Sequence, residues 1–272
     1  MPTLAVAAPV VAPAVAKATA AKQGRRAALI IGNSAYKSVA VLENPRRDAQ
    51  KMAAALRAVG FDDVTMAVDV SRDKMIEALR TFAAAADKAD WAVVYYAGHG
   101  IEVNGVNYLI PVDAKLASDR DVLFEAMPLD QVVAAIDGAK KLKLVVLDAC
   151  RDNPFAGAMA SASPAPVAVS QSGDSTRSTR TRSLGKGLGE LKVQGASLVV
   201  YAAKHGQTAL DGEGENSPFA VAVVQRIATP GVEINKLFRL VRDDVMEATA
   251  GRQEPYTYGS LPGREDFFFV NK

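Results

Sequence analysis

The fold is indicated most directly by one stretch of the chain, WAVVYYAGHG at residues 91–100. Its apolar first half predicts a strand buried on both faces of a parallel sheet. A second run of this kind, LKLVVLDAC at residues 142–150, also ends in polar residues. Because open α/β sheets place their chemistry just beyond the carboxyl ends of the strands, we expect His99 and Cys150 to meet at one edge of one sheet.

Strand and helix patterns alternate on both sides of these two runs. The predicted strands cover residues 27–31, 64–68, 91–97, 142–147, 197–202 and 267–270, and the predicted helices cover residues 45–59, 71–86, 129–136, 234–249 and a segment that begins at residue 218. A hairpin with an Asn104-Gly105 turn is expected at residues 101–108. The alternation predicts an α/β fold whose central sheet is mainly parallel and has helices on both faces.

The composition restricts the possible partners. The chain is 49% apolar and 23% charged, with a formal net charge of +2. This charge is too small to favour nucleic acid or a membrane surface as the main partner, and no apolar stretch is long enough to span a bilayer. One cysteine excludes an intrachain disulfide, and with two histidines a zinc site would have to depend on carboxylates. We therefore expect no metal and no organic cofactor.

The pairing of a thiol with an imidazole suggests nucleophilic catalysis. Cys150 follows a strand and is followed by polar residues, whereas an inert cysteine is usually buried as a small hydrophobe. His99 lies between Gly98 and Gly100, which let a substrate chain approach closely. The competing base is His205, which also follows a predicted strand. No Asp or Asn partner for the imidazole is evident, so a dyad is expected, with the N–H groups of Gly100 and Cys150 stabilising an oxyanion.

Asp148 lies two residues before the cysteine, on the same side of an extended segment. A neighbouring carboxylate does not help a thiolate to form, because like charges repel. Two interpretations remain: the carboxylate caps its own loop, or it binds a basic side chain of the substrate.

These segments, YAGHG at residues 96–100 and DAC at residues 148–150, resemble the caspase-like cysteine peptidases. The spacing between His99 and Cys150 matches the roughly 50 residues that separate the two in caspases. Further similar segments are IGN at residues 31–33, LENP at 42–45, NYLIPVD at 107–113 and NSPF at 216–219. The most similar branch is the bacterial one, the metacaspase-like or orthocaspase proteins, and the resemblance extends over about residues 25–270.

The resemblance implies a caspase-like three-layer sandwich that cleaves peptide bonds after Arg or Lys. Cys150 would be the nucleophile, His99 the base, and Asp148 an acid of the S1 pocket, which binds the residue before the scissile bond (P1). Asp48 is a further S1 candidate by resemblance. At the position of the family's second S1 acid the nearest match is a histidine, and Asp211 is the first acid that follows it. A calcium requirement is not expected, because one acid alone lies close after the cysteine.

The resemblance also divides the chain into parts. Outside the resemblance, the Ala-, Val- and Pro-rich composition of the amino terminus predicts that residues 1–24 are a flexible leader or a remnant export signal, so the cytoplasm and the periplasm are both open as locations and the cytoplasm is favoured. Residues 25–155 are similar to a large catalytic part, residues 156–190 to a Ser/Arg-rich linker, and residues 191–272 to a small part, within one domain. The protein would be a monomer or a weak homodimer that binds protein or peptide substrates.

The linker is either a solvated connection or a self-cleavage segment. The candidate P1 residues in it are Arg177, Arg180, Arg182 and Lys186. Two alternatives to the peptidase are a caspase-fold interaction module with weak catalysis, and an acyl transferase or peptidase of the same broad fold with another P1 preference.

Overall fold

A computed structural model describes residues 24–118, 120–149, 195–204, 207, 209–212 and 214–272. Cys150, His205 and the four candidate self-cleavage residues lie outside the described residues. In the described part of the chain, no helix is long and apolar enough to cross a membrane.

The core of the protein is a six-stranded sheet. Its strands are β1 (Arg26–Gly32), β2 (Asp63–Val68), β3 (Trp91–Gly98), β7 (Leu142–Ala149), β8 (Ser197–Tyr201) and β9 (Tyr256–Ser260). Their order across the sheet is β2-β1-β3-β7-β8-β9. All neighbouring strands are parallel except β8 and β9. A small antiparallel sheet contains β4 (Gly100–Val103), β5 (Val106–Leu109) and β6 (Met127–Pro128).

Helices cover both faces of the main sheet. They are α1 (Pro45–Ala58), α2 (Arg72–Ala86), α4 (Leu129–Ala134), α5 (Pro218–Ile227) and α6 (Ile234–Ala248). The short helix α3 (Val122–Glu125) packs instead in a separate core with the small sheet. Alternate residues of β3 face opposite sides: Tyr95 packs in a core with α1, α5 and α6, and Tyr96 packs in a core with α2 and α4. The three-layer α/β architecture predicted from the sequence is therefore confirmed.

The parallel register of β3 and β7 determines which residues lie side by side at the carboxyl ends of the two strands. Ala97 pairs with Asp148, and Gly98 pairs with Ala149. His99 therefore leaves the sheet beside the end of β7, as the two apolar runs predict. The predicted hairpin also forms, since Asn104 and Gly105 have the positive φ angles, 53° and 80°, that a tight two-residue turn needs.

The prediction of a last strand at residues 267–270 is wrong. The sheet ends instead in β9, and Phe268 makes one isolated bridge, to Glu233. Phe267 and Phe269 are buried, each with its ring centroid 5.7 Å from that of Trp91. An aromatic run has high strand propensity, but here it closes the core without joining the sheet.

Candidate active site

His99 follows a glycine that the local geometry requires. Gly98 has a φ of +153°, and a Cβ atom there would lie 2.5 Å from the hydroxyl oxygen of Tyr36 and 2.7 Å from that of Tyr96. A side chain would therefore displace both tyrosines. The glycine lets the chain pass close to them as it leaves β3.

The same two tyrosines hold the backbone of His99. Its N–H donates to the hydroxyl of Tyr36 at 2.7 Å, and its carbonyl accepts from the hydroxyl of Tyr96 at 2.7 Å. The imidazole also packs against the Tyr36 ring, with the centroids 4.5 Å apart. These contacts fix the position of the imidazole at the sheet edge.

A backbone carbonyl orients the imidazole. The Nε2 atom of His99 lies 3.0 Å from the carbonyl oxygen of Ala40. Because a carbonyl can only accept, Nε2 carries the proton and Nδ1 keeps its lone pair in the neutral ring. Burial lowers the pKa of His99, against the smaller raising effects of the Ala40 carbonyl and Asp211. At neutral pH the imidazole is therefore uncharged and able to accept a proton at Nδ1.

A narrow cavity beside His99 brings together the three predicted acids. It is lined by His99, Asp48, Asp148, Asp211 and Ser217, and on its apolar side by Leu42, Pro45, Ala97, Ala209 and Leu210. The three carboxylates come from the first turn of α1, the end of β7 and the segment after β8. The structure therefore brings Asp211 into the same cavity as Asp48 and Asp148.

Asp148 is buried at the inner end of this cavity, with 8% of its surface exposed. Its Oδ2 accepts from the hydroxyl of Tyr95 at 3.1 Å and from the hydroxyl of Ser217 at 2.5 Å. The Ser217 hydroxyl also accepts from the N–H of Ala220 and so caps α5. The start of α5 thereby fixes the Asp148 carboxylate.

Asp48 and Asp211 are held by neighbouring segments. Asp48 is 1% exposed, and its Oδ1 accepts from the Asn216 side chain at 2.8 Å and from the Ser217 N–H at 3.1 Å. Oδ2 of Asp211 accepts from the N–H of Glu43 at 3.3 Å. All of these partners are neutral groups, so hydrogen bonds orient the three carboxylates without cancelling their charge.

The electrostatics of the cavity favour a cation. Burial, together with a smaller effect of the nearby Asp48, raises the pKa of Asp148 to about 7. Burial likewise raises the pKa of Asp48 to about 6, with a smaller contribution from Asp211. The pKa of Asp211 is also raised, chiefly by burial. Since uncompensated buried charge is costly, a basic side chain entering the cavity would relieve the repulsion.

The backbone N–H of Gly100 is not used in the hydrogen bonds between β4 and β5. The Ile110 N–H donates to the His99 carbonyl at 3.1 Å, and Gly100 pairs with Leu109. In the alternating antiparallel pattern this makes Gly100 and Leu109 a non-hydrogen-bonded pair, so the Gly100 N–H points away from β5. It is thus compatible with a role at an oxyanion. Among the residues that the structure describes, no group of three or more His, Cys, Asp or Glu side chains is placed to hold a metal ion.

The comparisons with known proteins agree with this geometry. The family model described as "Caspase domain" matches residues 25–265. Human mucosa-associated lymphoid tissue lymphoma translocation protein 1 is 35% identical over 89 residues, which is 33% of this chain and 11% of that protein. The mouse homolog matches to the same extent. The chain therefore aligns with about a tenth of the length of these relatives.

Proposed function

Because the chain belongs to the caspase-domain family of cysteine peptidases, we propose that it is an endopeptidase that cleaves after Arg or Lys. Cys150 is the nucleophile and His99 the base. The observation that carries the specificity is the cavity beside the imidazole, which holds the buried carboxylates of Asp48 and Asp148 and the half-buried carboxylate of Asp211. Asp148 at the position before Ala149 and Cys150 also supports placing the protein in the metacaspase-like branch.

The proposed reaction follows from the orientation of His99. Nδ1 takes the thiol proton of Cys150, and the thiolate attacks the scissile carbonyl carbon. The N–H groups of Gly100 and Cys150 stabilise the oxyanion of the tetrahedral intermediate. The imidazolium then protonates the leaving amine as the C–N bond breaks, which leaves a thioester on Cys150. Water, deprotonated by His99, hydrolyses the thioester and releases the carboxyl product and the thiol.

Recognition of P1 is assigned to the carboxylates. Asp148 and Asp48 accept a guanidinium or ammonium group deep in the cavity, and Asp211 contacts it from the segment after β8. Arg and Lys satisfy this environment, because each brings a positive charge and N–H donors into a site with surplus negative charge. A neutral or acidic P1 residue would leave the buried charges unpaired.

The pH dependence of kcat/KM tests this assignment. We expect kcat/KM for an arginyl peptide to fall as the pH decreases through about 7 to about 6, because the neighbouring carboxylates of Asp148 and Asp48 become protonated as a pair and lose their attraction for the cation. In Asp48→Asn this fall should occur at lower pH, since removing the Asp48 charge lowers the pKa of Asp148. The measurement is a pH–rate profile of wild type and variant. An identical acid limb in both proteins would refute the coupling.

Self-processing is proposed for the linker at residues 156–190. The test is the intact mass of purified wild type and Cys150→Ala after incubation with a reducing agent. We expect wild-type fragments that end at Arg177, Arg180, Arg182 or Lys186, and none from the variant. Hydrolysis of arginyl, lysyl and leucyl fluorogenic peptides is measured on the same samples.

The outcomes separate the proposed peptidase from its alternatives. Cleavage of the arginyl or lysyl peptide that disappears in Cys150→Ala supports the proposal, whether or not the linker is cut. Cleavage after leucine alone would overturn the assigned specificity. A wild type without activity whose Cys150 also resists iodoacetamide would favour a caspase-fold interaction module.

A further inference from the structure

Gln253 is a fully buried amide that lies outside the acidic cavity, with none of its surface exposed. Its Nε2 donates to the carbonyl of Ala202 at 3.0 Å, and its Oε1 accepts from the N–H of Leu210 at 3.0 Å. One side chain thus joins two backbone groups that are eight positions apart. Buried polar side chains with both partners satisfied fix local geometry strongly.

The two bonded backbone groups belong to the segment that forms one wall of the cavity. Ala202 follows directly after the end of β8, whereas Leu210 lines the cavity next to Asp211. The Gln253 amide therefore ties the wall to the end of the sheet. A shift of Leu210 would move the Asp211 carboxylate with it.

Gln253 is itself anchored to a helix end. Its N–H donates to the hydroxyl of Thr249 at 3.2 Å, and that hydroxyl donates to the carbonyl of Val245 in α6 at 2.7 Å. The next residue, Glu254, donates its N–H to the Gln207 side chain at 2.9 Å and forms an ion pair with Lys204 at 2.7 Å. The segment after α6 therefore holds the segment after β8 at several points.

The wall is held from its other side by α1. The side chain of Asn44, at the helix start, donates to the carbonyls of Asp211 and Gly214. Asp211 thus lies between an amide from the α1 side and an amide from the α6 side. The hydrogen bonds of the Asn44 and Gln253 side-chain amides are here called the two clamps. Together they fix how far the Asp211 carboxylate lies from Asp48 and Asp148.

We propose that Gln253 is a positioning residue for cation recognition, an inference that rests on the proposed function. It contacts neither the substrate nor His99. It holds Asp211 at the distance at which three carboxylates share one cation. Losing the clamp weakens the binding of the P1 side chain while the chemistry at His99 and Cys150 continues, because the contacts of His99 come from Tyr36, Tyr96 and Ala40.

The test uses Gln253→Met, which keeps the length of the side chain and removes both hydrogen bonds. Agmatine, a guanidinium compound without a peptide, is the binding probe. We expect its Kd and the KM for an arginyl peptide to rise about tenfold, the order expected when one hydrogen bond to a charged group is weakened. We expect kcat and the rate of Cys150 alkylation by iodoacetamide to stay within about twofold of wild type.

Two control variants isolate the clamp from general destabilisation. Gln131→Met makes the same change at an exposed position of α4 and should leave the agmatine Kd unchanged. Phe238→Leu removes core volume in α6 and should lower the Tm without weakening agmatine binding. If Gln253→Met does not fold, Gln253→Asn replaces it, because its shorter amide cannot reach both backbone groups.

The outcomes distinguish a failure of the positioning role of Gln253 from a failure of the proposed Arg/Lys specificity. If wild type binds agmatine and the Gln253 variants bind it within twofold as well, the positioning role is overturned and the proposed function stands. The same conclusion follows if Phe238→Leu weakens agmatine binding as much as Gln253→Met does. A wild type that neither binds agmatine nor cleaves the arginyl peptide overturns the proposed specificity, and with it the positioning role.

Discussion

Replacing His99 with Gln is expected to lower kcat/KM for an arginyl peptide by about 10²- to 10⁴-fold, the usual contribution of a general base. The glutamine amide can still donate to the Ala40 carbonyl and fill the space of the ring. It cannot take a proton from a thiol and return it to a leaving amine. The loss should therefore appear in kcat, measured by steady-state hydrolysis of a fluorogenic peptide, and in the pH dependence of Cys150 alkylation.

The matched control is His205→Gln, at the other histidine of the chain. Since the proposed base is His99, this variant should retain kcat/KM within a few-fold. The reverse pattern, a large loss in His205→Gln and a small one in His99→Gln, would transfer the role of base to His205. Comparable agmatine binding in both variants would show that the cation cavity is intact.

Replacing Asp148 with Asn is expected to reduce activity and increase stability together. Breaking a desolvated ion pair costs about 3–5 kcal/mol, so kcat/KM for an arginyl peptide should fall by at least about 10²-fold. The asparagine oxygen can still accept from Tyr95 and Ser217, so the local fold should persist. Alkylation of Cys150 by uncharged iodoacetamide should continue near the wild-type rate.

The raised pKa of Asp148 determines the sign of the change in the free energy of unfolding. Folding raises this pKa from the ordinary value of about 4 to about 7. The ionised carboxylate therefore destabilises the substrate-free folded protein above pH 7. Asp148→Asn should therefore increase the free energy of unfolding most above pH 7. The gain should shrink as the pH falls through 7 and vanish near pH 4, where Asp148 is protonated in both states.

Denaturant unfolding at several pH values measures this difference. The control is Asp73→Asn, which changes an exposed acid of α2 and should alter stability little at any pH. If Asp148→Asn is less stable than wild type at pH 8, the ionised Asp148 carboxylate does not destabilise the folded protein and the prediction is wrong. Agmatine should stabilise wild type much more than Asp148→Asn.

The sequence predicted the parts of the site that follow from strand patterns. Residues 91–97 and, apart from Lys143, residues 142–147 are apolar because both faces of their strands are covered, and polar residues follow where the strands end. That logic placed His99 and Asp148 at one edge of the sheet. It also placed β1, β2 and β8 correctly, since each is bounded by a turn or a helix start.

The remaining features depend on tertiary contacts that no local pattern reports. The partner of the His99 imidazole is the Ala40 carbonyl. Because every residue has a backbone carbonyl, the sequence does not reveal which one binds the imidazole. Strand β9 is half exposed and short, so its pattern is weak, whereas the aromatic run with Phe267 has a stronger pattern and joins no sheet. Gln253 lies about 40 positions from the Leu210 N–H that it binds.

The pairing of β7 with β8 joins residues from either side of positions 150–194. Lys143 pairs with Ser197 and Leu147 with Tyr201, and neither strand is at an edge of the sheet. A chain cut within those positions would become a two-chain complex whose interface is the protein interior. Its halves would separate only by unfolding, and because the cut makes folding a bimolecular association, the stability of the cut protein would depend on its concentration, unlike that of the uncut chain. Such a nick would change the covalent connectivity and leave the acids beside the histidine.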